Sequence, residues 1–492
     1  MTTRLPMSSD AAVRIVCVLI CVALVLRYWR PTPKASIPST TPVMASLGLD
    51  HHTLSNGLFA IGISGSGKTT MLKLLIPEVL RDKSVGGLFL AVKRDALADN
   101  IWMFGKAGRK DVKVFQPGVT QCNIAGFILE HWGPVELGNM LDLAYQALPS
   151  SSGKKSEAYW QTLFTEGLIH MCTVVNIAIE QPTLVHLYNF ISSAPTKTGE
   201  MQTEAFKETY FYKVTAKAEA NAGEHEKHDV QNAINFFASI VKSGEKSVGA
   251  VVNSITGLLA PMVRGKLRAS VHCNEGNFLP SDPAVKGELL TFANSVLEHG
   301  DSARLFQALF HTAFLRYQLS NEPLRFVLKV ADEVQEISNG KYDSQVIQQL
   351  RSTRTGTINL SQSLPVLVQA QDDAMMGKQI VQAWVTGCAT QLFLNTNEGD
   401  TIEWISKLSG EYRAIMIGGG GGDGDPRTFD PIGVGGGQGL SFHQQFRPRI
   451  TSTDMLTLRR GSPMENGCVD MYVFQAGRMF WHTTLQREQD NG

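Results

Sequence analysis

Cysteine is sparse and scattered in this chain: seven residues in 492, none of them in a C-x-x-C pair. That spacing excludes a disulfide framework and a cysteine-built zinc site, and it fits a reducing compartment. His225 and His228 lie close together in GEHEKHD but have no further ligand nearby, so they read as a solvated helix face. An excess of charge of either sign is missing as well, since 45 Lys and Arg balance 45 Asp and Glu. Bulk charge therefore neither supports nor excludes nucleic acid, and any such contact has to come from local basic clusters. What remains is an ordinary globular composition, 43% hydrophobic, in a chain long enough for two or three domains with sizeable cores.

The stretch around which the chain is organised is Gly62-Ile63-Ser64-Gly65-Ser66-Gly67-Lys68-Thr69, a complete G-x-x-x-x-G-K-[ST] phosphate loop followed by Thr70. Its glycines let successive N–H groups point into one concavity, and the following helix adds its N-terminal dipole. In that cradle Lys68 reaches the outer phosphates and Thr69 holds Mg²⁺. The context is the one the motif requires: an apolar run at 58–63 precedes it, and Met71, Leu72, Leu74, Leu75 and Val79 make a helical apolar stripe after it. Gly62, Ser64, Gly65, Ser66, Gly67, Lys68, Thr69 and Thr70 are thus the expected binding residues for ATP with Mg²⁺.

No apolar run is both long and unbroken. Residues 11–29 are interrupted by Arg14 and Arg27, and their unbroken core at 15–26 is shorter than the about 20 apolar residues of a spanning helix. With Arg14 snorkelling or facing a partner helix, the stretch still reads as a membrane anchor, and Arg27, Arg30 and Lys34 form the positive excess of a cytoplasmic flank. A cleaved signal peptide is the rival, disfavoured because a nucleotide-dependent enzyme needs the cytosol. The prolines and small polar residues at 31–42 read as a tether.

Beyond the phosphate loop, apolar runs at 86–92 and 112–115 read as buried parallel strands, which implies a doubly wound, RecA-like α/β domain. Residues 128–243 carry helical periodicity and read as an inserted all-α domain. Its apolar stripe is Trp160, Leu163, Phe164, Leu168 and Met171, and a solvated helix spans 213–229. The expected division is an anchor and tether at 1–50, a nucleotide-binding domain in two parts at 51–127 and 244–492, and the insert between them. Strands are expected again at 288–292 and at 324–331, the latter ending in Asp332-Glu333. There Asp332 serves Mg²⁺ through water and Glu333 polarises the attacking water. Lys329, inside that strand, must either snorkel out or pair with an acid.

Gln362 ends the strand expected beside the Asp-Glu strand, where an amide can sense the γ-phosphate, a surface glutamine being the bland alternative. Arg351 and Arg354 can reach a nucleotide on a neighbouring subunit, contact a phosphate backbone, or stand as surface charges. A strand at 391–395 and a helix at 401–409 follow. Glycine-rich stretches at 418–424 and 433–439 read as mobile loops, and closing strands with basic residues between them lie at 446–481.

The order of these parts resembles the type IV secretion coupling proteins, the conjugative DNA-transfer ATPases of the RecA-like motor class. The resemblance rests on GISGSGKTT, Lys93-Arg94-Asp95, Cys122-Asn123, Tyr159-Trp160, Ala331-Asp332-Glu333, Arg354-Thr355-Gly356, Ser361-Gln362-Ser363 and Phe446-Arg447-Pro448, and runs over most of 58–481. It implies a membrane-anchored homo-hexamer in the bacterial inner membrane, with the ATPase region in the cytoplasm. It also implies ATP-driven delivery of a relaxase-bound DNA strand, or of protein substrates, into a type IV secretion channel. The alternative is a docking receptor for effector proteins, in which ATP cycling serves release and no DNA is pumped. One span is visible at the N-terminus, where family members usually carry two.

Overall fold

The computed structural model describes residues 43–148, 158–322, 324–371, 374–421, 438–475 and 477–485. The expected anchor and most of its tether lie outside the described residues. Eleven strands are described: β1 (Leu58–Ile61), β2 (Gly86–Leu90), β3 (Val112–Phe115), β4 (Leu289–Phe292), β5 (Val327–Ala331), β6 (Thr355–Ser361), β7 (Thr390–Phe393), β8 (Glu411–Gly421), β9 (Gln438–Pro448), β10 (Cys468–Gln475) and β11 (Arg478–Leu485). Nine of them form one sheet in the order β11-β10-β7-β1-β6-β5-β2-β4-β3. Every pairing from β7 to β3 is parallel, and β10 and β11 close one edge antiparallel.

A parallel sheet is buried on both faces, which is why these strands read as short continuous apolar runs. Alternation then assigns the faces. From β1, Leu58 and Ala60 join one core with Phe89 and Val330, while Phe59 and Ile61 join the other with Leu88 and Ala331. Helices α1 (Lys68–Leu80) and α2 (Ala96–Lys106) cover the first face through Met71, Leu75, Met103 and Phe104.

Between β3 and β4 the chain is helical: α3 (Ile124–Gln146), α4 (Ala158–Ala178), α5 (Leu184–Ser192), α6 (Tyr210–Asn221), α7 (Glu224–Lys242) and shorter turns as far as Val271. Within the expected stripe on α4, Phe164, Leu168 and Met171 are buried and Leu163 packs against them. The solvated helix read at 213–229 is two helices, because the chain turns at Ala222 and Glu226 reaches back to the main-chain N–H of Gly223 to start α7. Among the described residues one run, Glu245–Val263, is long and apolar enough to cross a membrane. Its Val251, Ile255, Leu258 and Leu259 are buried in the helical core, which accounts for its composition.

The second sheet face is covered by the helical region together with α8 (Asp301–Ser320), α9 (Gly340–Leu350) and α10 (Ala374–Gly387), and α11 (Gly399–Ser409) follows β7. Strands β8 and β9 form a separate antiparallel pair. Gly418 to Gly421, expected in a loop, lie in β8 opposite Ser441 to Gln438, since ladder hydrogen bonds need main chain only. The rest of the first glycine-rich stretch, and residues 433–437 of the second, lie outside the described residues.

Candidate nucleotide site

The phosphate loop leaves the carboxyl end of β1 and turns into α1, and its two outer glycines are fixed by close approach. A Cβ on Gly62 would stand 2.5 Å from Ser66 Oγ and 2.8 Å from Leu394 Cβ. Gly67 has φ +94°, and a Cβ there would meet both methyls of Val469 at 2.7 Å. Only glycine fits a left-handed position against a packed strand. Lys68, 4% exposed, folds its ammonium over the loop and donates to the carbonyls of Gly62 and, at 3.1 Å, Ile63. Burial lowers its pKa, and the nearby charges of Glu333 and Asp332 oppose that fall without cancelling it.

Because β6 lies between β1 and β5, the ends of the three strands meet at one edge of the sheet, with β2 next to β5. Asp332 and Glu333 follow β5, Gln362 follows β6 and Lys93 follows β2 within three residues. The Lys93 ammonium lies 2.7 Å from Asp332 Oδ2 and 3.2 Å from Glu333 Oε1. Gln362 Nε2 donates to Glu333 Oε1 at 3.1 Å, and Gln335 Nε2 donates to Glu333 Oε2 at 3.0 Å. Ser361 Oγ in turn donates to Gln335 Oε1 at 3.0 Å. Burial by itself raises the pKa of Glu333. The two amides and the charges of Lys93 and Lys68 outweigh it and hold the carboxylate below its ordinary value. Glu333 is therefore an ionised acceptor, and its backbone sits in the left-handed region (φ 56°), which a side chain other than glycine adopts at a cost of about 1 kcal/mol or more.

A cavity of about 170 Å³ opens over the loop, lined by Ser64, Gly65 and Gly67 to Thr70 and, from outside the motif, by Lys93 and Arg460. Asp332 Oδ1 is buried without a hydrogen-bond partner. That free oxygen and the Thr69 hydroxyl are donors of the kind a hard divalent cation such as Mg²⁺ takes, and they are the residues that would hold one. Polyphosphate, metal and a polarised water therefore all have matching groups at this edge.

Arg351 and Arg354 are elsewhere in the chain. Both are exposed and precede β6, whereas Gln362 follows it. The strand between them spans roughly 20 Å at about 3.3 Å per residue, so neither arginine joins the phosphate cavity of its own chain. Lys93 and Arg460 are the residues that motif reading leaves out of the site. Lys93 stands in the Lys93-Arg94-Asp95 run quoted above, but its pairing with the acids follows from β2 lying beside β5. Arg460 has no local signal at all and is carried to the cavity by the closing strands.

Buried beneath the same edge, Lys329 resolves the choice left open by its strand: it does not snorkel out. Its ammonium donates to Asn359 Oδ1 at 2.7 Å, with Asp343 on α9 and His311 on α8 lining the same small cavity. Burial brings its pKa down to about 8 and that of Asp343 up to about 6.

Residues 323–422 match the family described as the TraM recognition site of TraD and TraG. No curated protein sequence matches the chain. Among solved structures, the bacterial conjugative coupling protein TrwBdeltaN70 in its unbound monoclinic form superposes with a TM-score of 0.58 at 14% identity, covering 95% of this chain and 91% of that one. Plasmid coupling protein TrwB in complex with ADP and Mg²⁺ gives 0.58 at 13% identity, and TrwB with the non-hydrolysable ATP analogue ADPNP gives 0.57 at 14%, each covering 95% of this chain and 92% of that one. The family match bears out the resemblance read from the sequence, and the structural likeness bears out the RecA-like α/β fold with its mostly parallel sheet.

Proposed function

We propose that this chain, with the fold of the conjugative coupling proteins and a TraD/TraG segment at 323–422, is an ATPase that drives delivery of DNA into a type IV secretion channel. The observation that carries the reading is the convergence of Lys68, Asp332, Glu333 and Gln362 at one sheet edge over a cavity lined by the phosphate loop. TrwB, similar in fold over nearly its whole length, has been solved with ADP and Mg²⁺ and with an ATP analogue, which supports the same ligands here.

In this reading the loop N–H groups and Lys68 bind the phosphates, and Thr69 and Asp332 are the residues that would hold Mg²⁺, which when bound would supply positive charge against the phosphates. Glu333, kept ionised, accepts the proton of the attacking water. Gln362 holds Glu333 in place, and through β6 its position is tied to Arg351 and Arg354 at the opposite edge, where a neighbouring subunit of a homo-hexamer would present its own nucleotide. Residues 11–29 would anchor the ring in the cell membrane, with the ATPase region in the cytoplasm. The TraM recognition segment supports relaxosome proteins, with a relaxase on the transferred strand, as partners. The second reading, motivated by the balanced overall charge, is effector docking with ATP-driven release.

Lys68→Ala in the full chain is expected to lose ATP hydrolysis and conjugative transfer together. Transfer persisting at the normal level in that variant would rule the motor out.

A further inference from the structure

We propose that Arg460 is a phosphate-binding residue of the nucleotide site, supplied in cis by the closing strands and clamped over the glycine cradle. The proposal rests on the nucleotide-binding reading above and adds to it a contact outside the phosphate-loop motif.

The exposed side chain of Arg460 lines the same cavity as the loop. Among the described residues no carboxylate forms an ion pair with its guanidinium, unlike Lys93, which is engaged by both acids. The segment that carries Arg460 is tied to the cradle on every side. Asn395, whose carbonyl accepts the N–H of Ile63 in the loop at 3.1 Å, donates its side-chain amide to the carbonyls of Leu456 and Leu458, each at 2.9 Å. Arg459 forms a two-pronged pair with Asp470 of β10, Nε to Oδ2 and Nη2 to Oδ1, both at 2.8 Å. Arg460 itself bridges antiparallel to Val469, the residue whose methyls abut Gly67, and its N–H is held by Glu465 Oε2 at 3.0 Å.

The main chain of Arg460 is thus positioned relative to the loop by two routes, through Asn395 and through β10, while its guanidinium remains available. A planar, always-charged fork that lines one cavity with the phosphate loop and Lys68, and that lacks the carboxylate partners Lys93 has, suits a polyanion. Arginine suits the role better than lysine because it can chelate two phosphate oxygens at once.

The test measures affinity of the purified full chain for Mg²⁺-ADP and for a Mg²⁺-bound non-hydrolysable ATP analogue, alongside thermal unfolding without nucleotide. R460A is expected to weaken binding of the analogue roughly ten- to hundredfold, the loss of one charge-assisted phosphate contact, with an unchanged melting temperature. R460K should recover part of that loss. Affinity of R460A within about twofold of the parent chain overturns the proposal, and so does an equal loss in both variants accompanied by a lower melting temperature, which would make the residue structural. A parent chain that binds neither nucleotide removes the ATPase reading itself, an outcome distinct from a parent that binds while R460A binds equally well.

Discussion

At the scale of single residues, the ionisable groups near the site fall into two sets with opposite behaviour. Glu333 and Lys93 stabilise each other's charged forms at the cavity, and the pKa of Lys93 is raised because the two acids outweigh its partial burial. Below the same sheet edge, Lys329, Asp343 and His311 are buried where charge is disfavoured. Asp343 titrates near 6 in the folded chain against 3.8 in the unfolded one. Between those values the folded state holds a proton that the unfolded state has released, so its contribution to stability falls as pH rises through the window. Asp343→Asn removes that slope, and its stability relative to the parent chain should rise by about 1 to 3 kcal/mol between pH 4 and pH 6. Melting curves of the two proteins over that range check it, a constant offset being the contrary result.

Among elements, the antiparallel edge contributes most beyond what a phosphate-loop motif predicts. Strand β10 presses Val469 against Gly67 and positions the segment bearing Arg460, so a closing strand helps shape a site opened by β1. Gly67→Ala meets two penalties there: a left-handed backbone, about 1 to 2 kcal/mol, and a Cβ 2.7 Å from two methyl carbons. Adding Val469→Ala relieves the second but not the first. The single variant should therefore lose nucleotide binding and melt lower, and the double variant should recover only part of both. Full recovery would show that backbone strain contributes nothing. Strand β6 is the other element with a double role, since it precedes Gln362 and follows Arg354, linking the candidate nucleotide site to the surface where, in the proposed ring, a neighbouring subunit would sit.

For the whole molecule, the two proposed activities differ in what polyanions do. A DNA motor displaces counterions when it grips the phosphate backbone, so single-stranded DNA should stimulate hydrolysis and that stimulation should weaken steeply between about 50 and 200 mM salt. Measured phosphate release from the full chain, with and without DNA across that range, decides between motor and effector receptor. No stimulation at low salt favours the receptor. Native mass measurement of the same sample with Mg²⁺-ATP should give six copies if the nucleotide is completed between subunits by Arg351 or Arg354.

Much of this was local enough to be read along the chain. The phosphate loop, the apolar strands, the acidic pair and the stripe on α4 announce themselves because glycine spacing, buried parallel strands and helix periodicity are properties of consecutive residues. The folded arrangement alone decided the rest. Insertion of β6 between β1 and β5 made Gln362 a partner of Glu333, adjacency of β2 to β5 placed Lys93 on both acids, and closure by β10 brought Arg460 to the cradle. Those contacts join separate strands, 29 positions apart for Gln362 and Glu333 and 239 for Lys93 and Asp332, and strand order, on which they depend, leaves no periodicity in any one segment.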